Sequence, residues 1–414
     1  MSSDDTEFLA AAGELGHRIA DSAISFEDRC NWIGALPDAP RRSEFLAAQA
    51  ALGPDLYDGT SGVALFLAEV GVKLGDARLR ATALGAIHHA LAHAGRVDPD
   101  ARDGLYTGTI GIAYAAARVA GLLEADHLLT SARELLLEWR TLEARSTASD
   151  VTSGSAGAVT GLVAISSLID EPWILDSAVE LGEELAARAE VTPAGWSWAA
   201  PRRHSDYNLC GYSHGAAGIG HAFLELFGVT GDTRFREAGE RAFDYERSWF
   251  DPRSGSWPDL RGVARQAGRD APMPAPGFSW CNGVAGIALS RLRATELLGS
   301  AVIRRDAALA LAACERDVSD LLAATPDDFS LCHGAAGAAD VLLYAGREDL
   351  GHLAAQIGRQ GIERHLGPEA APFPCGVAVG ETPALMLGFA GVGMFYLRLS
   401  DPGVGSPLLV RRKG

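Results

Sequence analysis

The chain has 414 residues, of which 48% are hydrophobic and 21% are charged, so it carries enough apolar side chain for a large folded core. Its 53 acidic residues outnumber 36 Lys and Arg, and the net charge of −17 argues against binding to nucleic acid. No apolar run approaches the length of a membrane span, and the acidic N-terminus is unlike a secretory signal. We therefore expect a cytoplasmic protein with no nucleic-acid partner and no membrane span.

A G-x-x-G unit followed by an apolar helical run recurs seven times along the chain. The first glycines of successive units are 46 to 68 residues apart. A period in this range is typical of repeat architectures. The seven units are Gly59–Gly62, Gly108–Gly111, Gly154–Gly157, Gly215–Gly218, Gly283–Gly286, Gly334–Gly337 and Gly388–Gly391.

Longer amphipathic segments lie between the glycine units, and the patterns predict helices over residues 126–144 and 173–190. The runs that follow the glycines are more uniformly apolar, as in buried helices. Each repeat therefore predicts one exposed and one buried helix. Seven such pairs predict an all-α protein, an α/α toroid with seven inner and seven outer helices, as a single domain over residues 1–414.

Two further features bear on the ends of the predicted inner helices. Glycine there has two candidate uses: it adopts φ values that other residues resist, or it lets crowded helix ends approach with their N–H groups facing a central cavity. Residues 191–208 and 251–277 break the period and have weak helix signals. We expect both segments to be loops or short β extensions that shape the mouth of the site.

Two polar residues precede glycine units in the middle of the chain. Asp150 lies four residues before Gly154, and His214 directly precedes Gly215. A histidine at this position is a candidate fourth metal ligand or general acid/base, with a capping or core histidine as the alternative. Asp150 either orients His214 and stabilises its protonated form, or caps a helix.

The next two repeats carry cysteine at the same place. Cys281 lies in Trp280-Cys281-Asn282-Gly283, and Cys332 and His333 directly precede Gly334. If the glycines begin inner helices of adjacent repeats, these side chains are neighbours. Two thiolates and one imidazole suit zinc, and three protein ligands leave one position open, as in catalytic sites. The alternative is two small buried cysteines and a capping histidine.

The remaining cysteines and the histidine-rich helix carry weaker signals. Cys210, four residues before His214, is a weak additional metal candidate, and it is interpreted as structural or incidental together with Cys30, Cys314 and Cys375. His88, His89 and His93 share a predicted outer helix, and we interpret them as a solvated face.

The motifs Trp280-Cys281-Asn282-Gly283, Cys332-His333-Gly334 and Ser213-His214-Gly215, set in the sevenfold glycine series, resemble those of the lanthipeptide cyclases, the LanC-like superfamily. The resemblance covers almost the whole chain, from about residue 29 to residue 399. It implies the α/α toroid fold. It also implies zinc held by Cys281, Cys332 and His333, a general acid/base at His214, and a supporting aspartate at Asp150.

One departure from the family pattern bears on the type of cyclase. Stand-alone cyclases of the nisin type carry an arginine shortly before the Trp-Cys motif and usually tyrosine or histidine after the cysteine. Here residues 275–279 read Ala-Pro-Gly-Phe-Ser and Asn282 follows Cys281, a context similar to the cyclase half of class II lanthipeptide synthetases. We expect a stand-alone class-II-like cyclase or a domain separated from a larger synthetase. Asn282 puts in doubt any role that a tyrosine or histidine has at that position.

The resemblance implies a zinc-dependent lanthionine or methyllanthionine cyclase of lantibiotic biosynthesis. Such an enzyme adds peptide cysteine thiolates to dehydroalanine or dehydrobutyrine in a ribosomally made precursor. The implied partners are the dehydrated precursor peptide and a separate dehydratase or kinase-lyase. Two alternatives stay open: a relative that adds an external thiol such as glutathione, and a scaffold that binds peptide or dehydratase without turnover.

Overall fold

The computed structural model describes residues 3–35, 49–142, 146–200, 205–263, 274–324, 326–367, 370–377 and 380–412. Parts of both predicted insertions, residues 201–204 and 264–273, lie outside these ranges. No helix in the ranges is both long enough and apolar enough to cross a bilayer.

Across these ranges the chain alternates between two kinds of helix. The odd-numbered helices are α1 (Ser3–Asp21), α3 (Ala77–Ala92), α5 (His127–Arg140), α7 (Pro172–Ala187), α9 (Thr233–Arg247), α11 (Ala301–Ala323) and α13 (Glu348–His365). The even-numbered helices are α2 (Thr60–Leu74), α4 (Thr109–Leu123), α6 (Ser155–Ile165), α8 (Ala216–Thr230), α10 (Val284–Leu298), α12 (Ala335–Tyr344) and α14 (Phe389–Ser400). Each even-numbered helix directly follows the first glycine of a G-x-x-G unit.

The two kinds of helix differ in burial as their sequences predict. Every residue of α6 is buried, whereas α9 buries one face, on which Phe235, Ala238 and Ala242 recur at helical spacing. The predicted alternation of a buried and an amphipathic helix is therefore confirmed. The predicted ends of two amphipathic helices are wrong, because α5 ends at Arg140 and α7 at Ala187.

The chain divides into two compact units, each described by itself. The first comprises Met1–Val97, Gly111–Thr141 and Val318–Val410. In it α14 packs against α1, α2 and α12, while α2 packs against α3 and α12 against α13. The second comprises Asp98–Ile110, Leu142–Asp317 and Arg411–Gly414. In it α8 packs between α6 and α10, and α6 and α8 also pack against α7 and α9.

Strands are few and short where the chain is described. They are β1 (Ile24–Phe26), β2 (Arg29–Asn31), β3 (Ile33–Ala35), β4 (Gln49–Ala51), β5 (Glu190–Thr192) and β6 (Gly195–Ser197), paired antiparallel as β1–β2, β3–β4 and β5–β6. The hairpin β5–β6, with Val191 opposite Trp196, opens the first predicted insertion. Isolated β-bridges join Asp251 to Ser256 and Pro258 to Pro276 in the second predicted insertion, residues 251–277. The predicted short β extensions are therefore present.

The glycines before the even-numbered helices serve close approach rather than an unusual φ. Gly215 has φ −124° and ψ −172°, an extended conformation open to any residue. A Cβ on Gly215 would lie 2.3 Å from the carbonyl oxygen of Cys210, and one on Gly218 would lie 1.9 Å from that of Tyr212. The first of the two candidate uses is therefore wrong here, and crowding of the helix start is the reason for glycine.

The same loops take up the N–H groups at the helix starts. The N–H of Ala216 donates to the carbonyl of Leu209 at 3.0 Å, and Val284 and Ala335 make the equivalent bond to the residue seven positions earlier. The loop therefore folds back over the helix end and satisfies donors that helix termini leave open. The expectation that these N–H groups face a cavity is wrong at these three helices.

Substitution of Gly218 by alanine should destabilise the fold by about 3 kcal/mol, the upper end for overpacking, because the new methyl group meets a backbone oxygen. Gly121 of α4 provides the matched control, since a Cβ there has no atom within 4 Å. Its replacement by alanine should be neutral or stabilise by about 0.5–1 kcal/mol. Urea unfolding measures both. Equal stability of the two variants would show that close approach does not constrain Gly218.

Candidate active site

Within each unit, backbone hydrogen bonds join the loops that carry candidate site residues. In the second unit, the N–H of Ser213 donates to the carbonyl of Cys281 at 2.9 Å, and that of Val151 to Ser213 at 3.0 Å. In the first unit, the N–H of Cys332 donates to the carbonyl of Met386, and that of Met386 to Tyr57, both at 2.9 Å. Equivalent positions of successive repeats are thus fixed side by side within each unit.

Cys281 is held in a buried turn between α9 and α10. It is 8% exposed, and the preceding Trp280 is fully buried against the rings of Tyr106 and Tyr212. The Ser279 hydroxyl lies 3.4 Å from the Cys281 sulfur. The buried Trp280 therefore anchors the turn next to Cys281, and the Ser279 hydroxyl contacts the sulfur.

Cys332 and His333 begin the loop that leads into α12. Cys332 is 3% exposed, and the Tyr57 hydroxyl donates a hydrogen bond to its sulfur across 2.9 Å. The Nε2 atom of His333 lies 3.1 Å from a carboxylate oxygen of Asp328. The other oxygen of that carboxylate accepts the N–H of Ser330 at 2.7 Å. Asp328 is thus fixed in place and holds the imidazole by its Nε2 atom.

In the described part of the chain, Cys281, Cys332 and His333 form a group of side chains that could hold a metal ion, here called the metal-ligating group. One ligand atom from each residue lies within 4.8 Å of the other two. Two sulfurs and one imidazole nitrogen are a donor set that suits zinc and disfavours magnesium or calcium. With three protein ligands a tetrahedral ion keeps one position for another molecule. The residues therefore fit a zinc ion with an open position.

His214 and Asp150, predicted from separate repeats, are in direct contact. The His214 Nδ1 atom lies 3.0 Å from an Asp150 carboxylate oxygen, and Asp150 is 1% exposed. Burial by itself lowers the pKa of His214, but the hydrogen bond and charge of Asp150, with a contribution from Cys281, raise it above its ordinary value overall. The second Asp150 oxygen accepts the N–H of Ser153, which precedes the helix. The Asp150 side chain therefore bonds His214 and the loop before α6, and its role in orienting His214 stays a prediction.

The other cysteines lie outside this group. Burial raises the pKa of the Cys30 thiol to about 12 and that of the Cys375 thiol to about 11, and it also raises the pKa values of Cys210 and Cys314 above their ordinary range. All four therefore stay protonated near neutral pH, which makes them poor metal ligands and poor nucleophiles.

One of the three clustered histidines does not fit the predicted solvated face. His89 is half-buried, and its ring nitrogens lie 3.1 Å from the side chains of Thr60 and Asn31. Burial and the neighbouring His93 lower the pKa of His89 to about 4. His89 is therefore a neutral structural histidine that ties α3 to the start of α2.

Comparison with known proteins now assigns the family. A family model described as lanthionine synthetase C-like protein matches residues 50–407, and the chain belongs to that family. No match is found among curated protein sequences.

A solved structure with a TM-score above 0.5 shows the same fold. Nisin cyclase is similar over 85% of this chain and 90% of its own, with a TM-score of 0.61 and 16% identity. A sugar epimerase from a ruminal bacterium (97% and 99% covered, TM-score 0.49, 10% identity) and the cellobiose 2-epimerase of Spirochaeta thermophila (97% and 99%, 0.47, 12%) also match. The similarity to nisin cyclase, with the helical alternation, confirms the predicted all-α fold of the α/α-toroid type.

Proposed function

We propose that this protein is a zinc-dependent lanthionine or methyllanthionine cyclase. The observation that carries the proposal is the convergence of Cys281, Cys332 and His333 in a chain of the lanthionine synthetase C-like family. Its substrate is a dehydrated precursor peptide, supplied by a separate dehydratase or kinase-lyase. We further propose that residues 1–414 act as one catalytic domain and that the protein works in the cytoplasm.

The reaction needs a thiolate and a proton donor. A free cysteine thiol has a pKa of about 8.5, so most of it is protonated near neutral pH. When bound, a zinc ion held by Cys281, Cys332 and His333 would lower the pKa of the substrate thiol, because coordination deprotonates a thiol. Asp328 holds His333 by Nε2 and so fixes the orientation of the imidazole ring.

In this proposal His214 donates the proton that completes the addition. Addition of the substrate sulfur to the β-carbon of a dehydro residue leaves an enolate, which must be protonated at the α-carbon. The raised pKa of His214 favours the imidazolium that donates this proton. Asp150, buried and hydrogen-bonded to Nδ1, leaves Nε2 as the nitrogen that faces the substrate.

Elemental analysis of the purified protein should find about one zinc per chain. The Cys332→Ala variant should lose it, because two remaining ligands hold zinc weakly. The Cys314→Ala variant removes a buried thiol outside the ligand group and should keep the metal. Full zinc occupancy in Cys332→Ala would show that the ligand assignment is wrong.

A further inference from the structure

Both cysteines of the metal-ligating group have a hydroxyl group directed at their sulfur. The Tyr57 oxygen lies 2.9 Å from the Cys332 sulfur, and the Ser279 oxygen lies 3.4 Å from the Cys281 sulfur. Neither hydroxyl belongs to a ligand, and neither was singled out by the sequence. Each of the two cysteine sulfurs thus has one hydroxyl contact from a residue that is not a ligand.

The direction of these hydrogen bonds follows from the groups around them. The Ser279 oxygen accepts the N–H of Asn282 at 3.3 Å, which leaves its own proton free to be donated to Cys281. Tyr57 donates its phenolic proton to Cys332. A metal-bound cysteine is a thiolate and has no proton to give. Both sulfurs are therefore acceptors when a metal is bound.

The backbone holds both donors in place. The carbonyl of Tyr57 accepts the N–H of Met386, whose own carbonyl accepts the N–H of Cys332, so donor and acceptor share one hydrogen-bonded ladder. Ser279 lies in the same buried turn as Cys281 and is 8% exposed. The two contacts are thus part of the fold rather than chance encounters of mobile side chains.

The proposed reaction creates a problem of selectivity that these contacts address. A dehydro residue at the site meets the two ligand sulfurs as well as the substrate sulfur. If a ligand sulfur attacked, a carbon–sulfur bond would form at the β-carbon, the π-electron pair would move to the α-carbon, and that carbon would take a proton. The protein would then carry a permanent thioether in place of a ligand thiolate.

We propose that Tyr57 and Ser279 keep Cys332 and Cys281 from acting as nucleophiles, so that the substrate sulfur is the one that adds. A hydrogen bond to a thiolate stabilises its negative charge, and nucleophilicity falls as the basicity of the sulfur falls. The inference rests on the proposed cyclase function. In this account Tyr57 and Ser279 are positioning residues that act through the two ligand sulfurs.

Alkylation of the zinc-loaded protein by iodoacetamide, mapped by peptide mass spectrometry, tests this inference. Tyr57→Phe should raise the alkylation rate of Cys332 about 3- to 10-fold and leave Cys281 unchanged, since a hydrogen bond to a charged group is lost and about half of its effect reaches the rate. Ser279→Ala should raise the alkylation rate of Cys281 by a similar factor and leave that of Cys332 unchanged. Tyr396→Phe, which removes a buried hydroxyl that donates to the Gly358 carbonyl, is the control and should change neither rate.

A second readout separates nucleophilicity from mere access of the reagent. In the cobalt-substituted protein, loss of either hydrogen bond should shift the sulfur-to-cobalt charge-transfer band to lower energy, and Tyr396→Phe should not. If Tyr57→Phe and Ser279→Ala bind metal normally but keep the wild-type alkylation rates and charge-transfer bands, this inference is overturned and the proposed function is not. A wild-type protein that bound neither ion would overturn the proposed function and this inference with it.

Discussion

Replacement of His214 by asparagine should leave the zinc content unchanged and slow cyclisation by about 10²–10⁴-fold, the usual contribution of a positioned general acid. Asparagine is similar in size and keeps a polar contact with Asp150, but it cannot give up and regain a proton near neutral pH. The measurement is the rate of thiol loss in a dehydrated peptide, with zinc analysed in parallel. Wild-type turnover by His214→Asn would show that zinc activation alone suffices.

Asp150→Asn should change the pH dependence rather than only the rate. In the wild-type protein Asp150 raises the pKa of His214, so the imidazolium persists to higher pH. Without that carboxylate charge the pKa of His214 falls, and activity that needs the imidazolium should be lost at a lower pH. A pH–rate profile of Asp150→Asn with an unchanged alkaline limb would contradict the assigned role of this aspartate.

The largest effect on stability is expected at a fully buried ion pair beside the site. The side chains of Glu246 and Arg291 are both 0% exposed, and the Glu246 Oε2 atom lies 2.5 Å from the Arg291 Nη2 atom. The Arg291 guanidinium also packs over the ring of Phe243. Glu246→Gln should cost about 3–5 kcal/mol of unfolding free energy, because it leaves the buried guanidinium with only the more distant Asp306, 3.9 Å from its Nε atom, as a counter-charge. Glu240→Gln breaks the exposed pair with Arg236 and should cost less than about 1 kcal/mol.

The same pair also supports the loop that carries His214. The second Glu246 oxygen accepts the N–H of Gly211 at 2.9 Å. The double variant with methionine at both Glu246 and Arg291 should recover stability in urea unfolding, since both charges of the pair are removed and Asp306 keeps its ion pair with Arg247. A Glu246→Gln protein as stable as Glu240→Gln would show that the buried pair does not hold this region together.

Much of the fold was predictable because it repeats. The glycine units predicted where each buried helix begins, and the apolar patterns predicted which helices are buried and which are amphipathic. The equal positions of Cys281 and Cys332 before their glycines predicted a shared site with His333, and the three residues form a group that could hold a metal ion. The inferences about the helices succeed because burial and helix starts leave local patterns in the sequence.

What was missed depends on contacts that no local pattern records. Tyr57 and Asp328 are ordinary residue types, and their roles come from hydrogen bonds to Cys332 and His333. The one available signal was register, since Tyr57 lies two residues before its glycine, as Cys332 does. The ends of α5 and α7 were misjudged because the residues just beyond them, among them Leu142, Arg188 and Ala189, favour helix and give no stop signal. His89 was misread because its partners Thr60 and Asn31 lie on other elements.

The central claim is that this chain closes thioether rings within a peptide. The direct measurement is mass spectrometry of a dehydrated cysteine-containing peptide after incubation with the zinc-loaded protein and glutathione, followed by thiol alkylation. The account predicts an unchanged peptide mass with fewer alkylated thiols, because internal addition of a thiol to a double bond is an isomerisation. A peptide mass increased by glutathione would favour the external-thiol alternative. A peptide with all its thiols still open to alkylation would contradict cyclase activity.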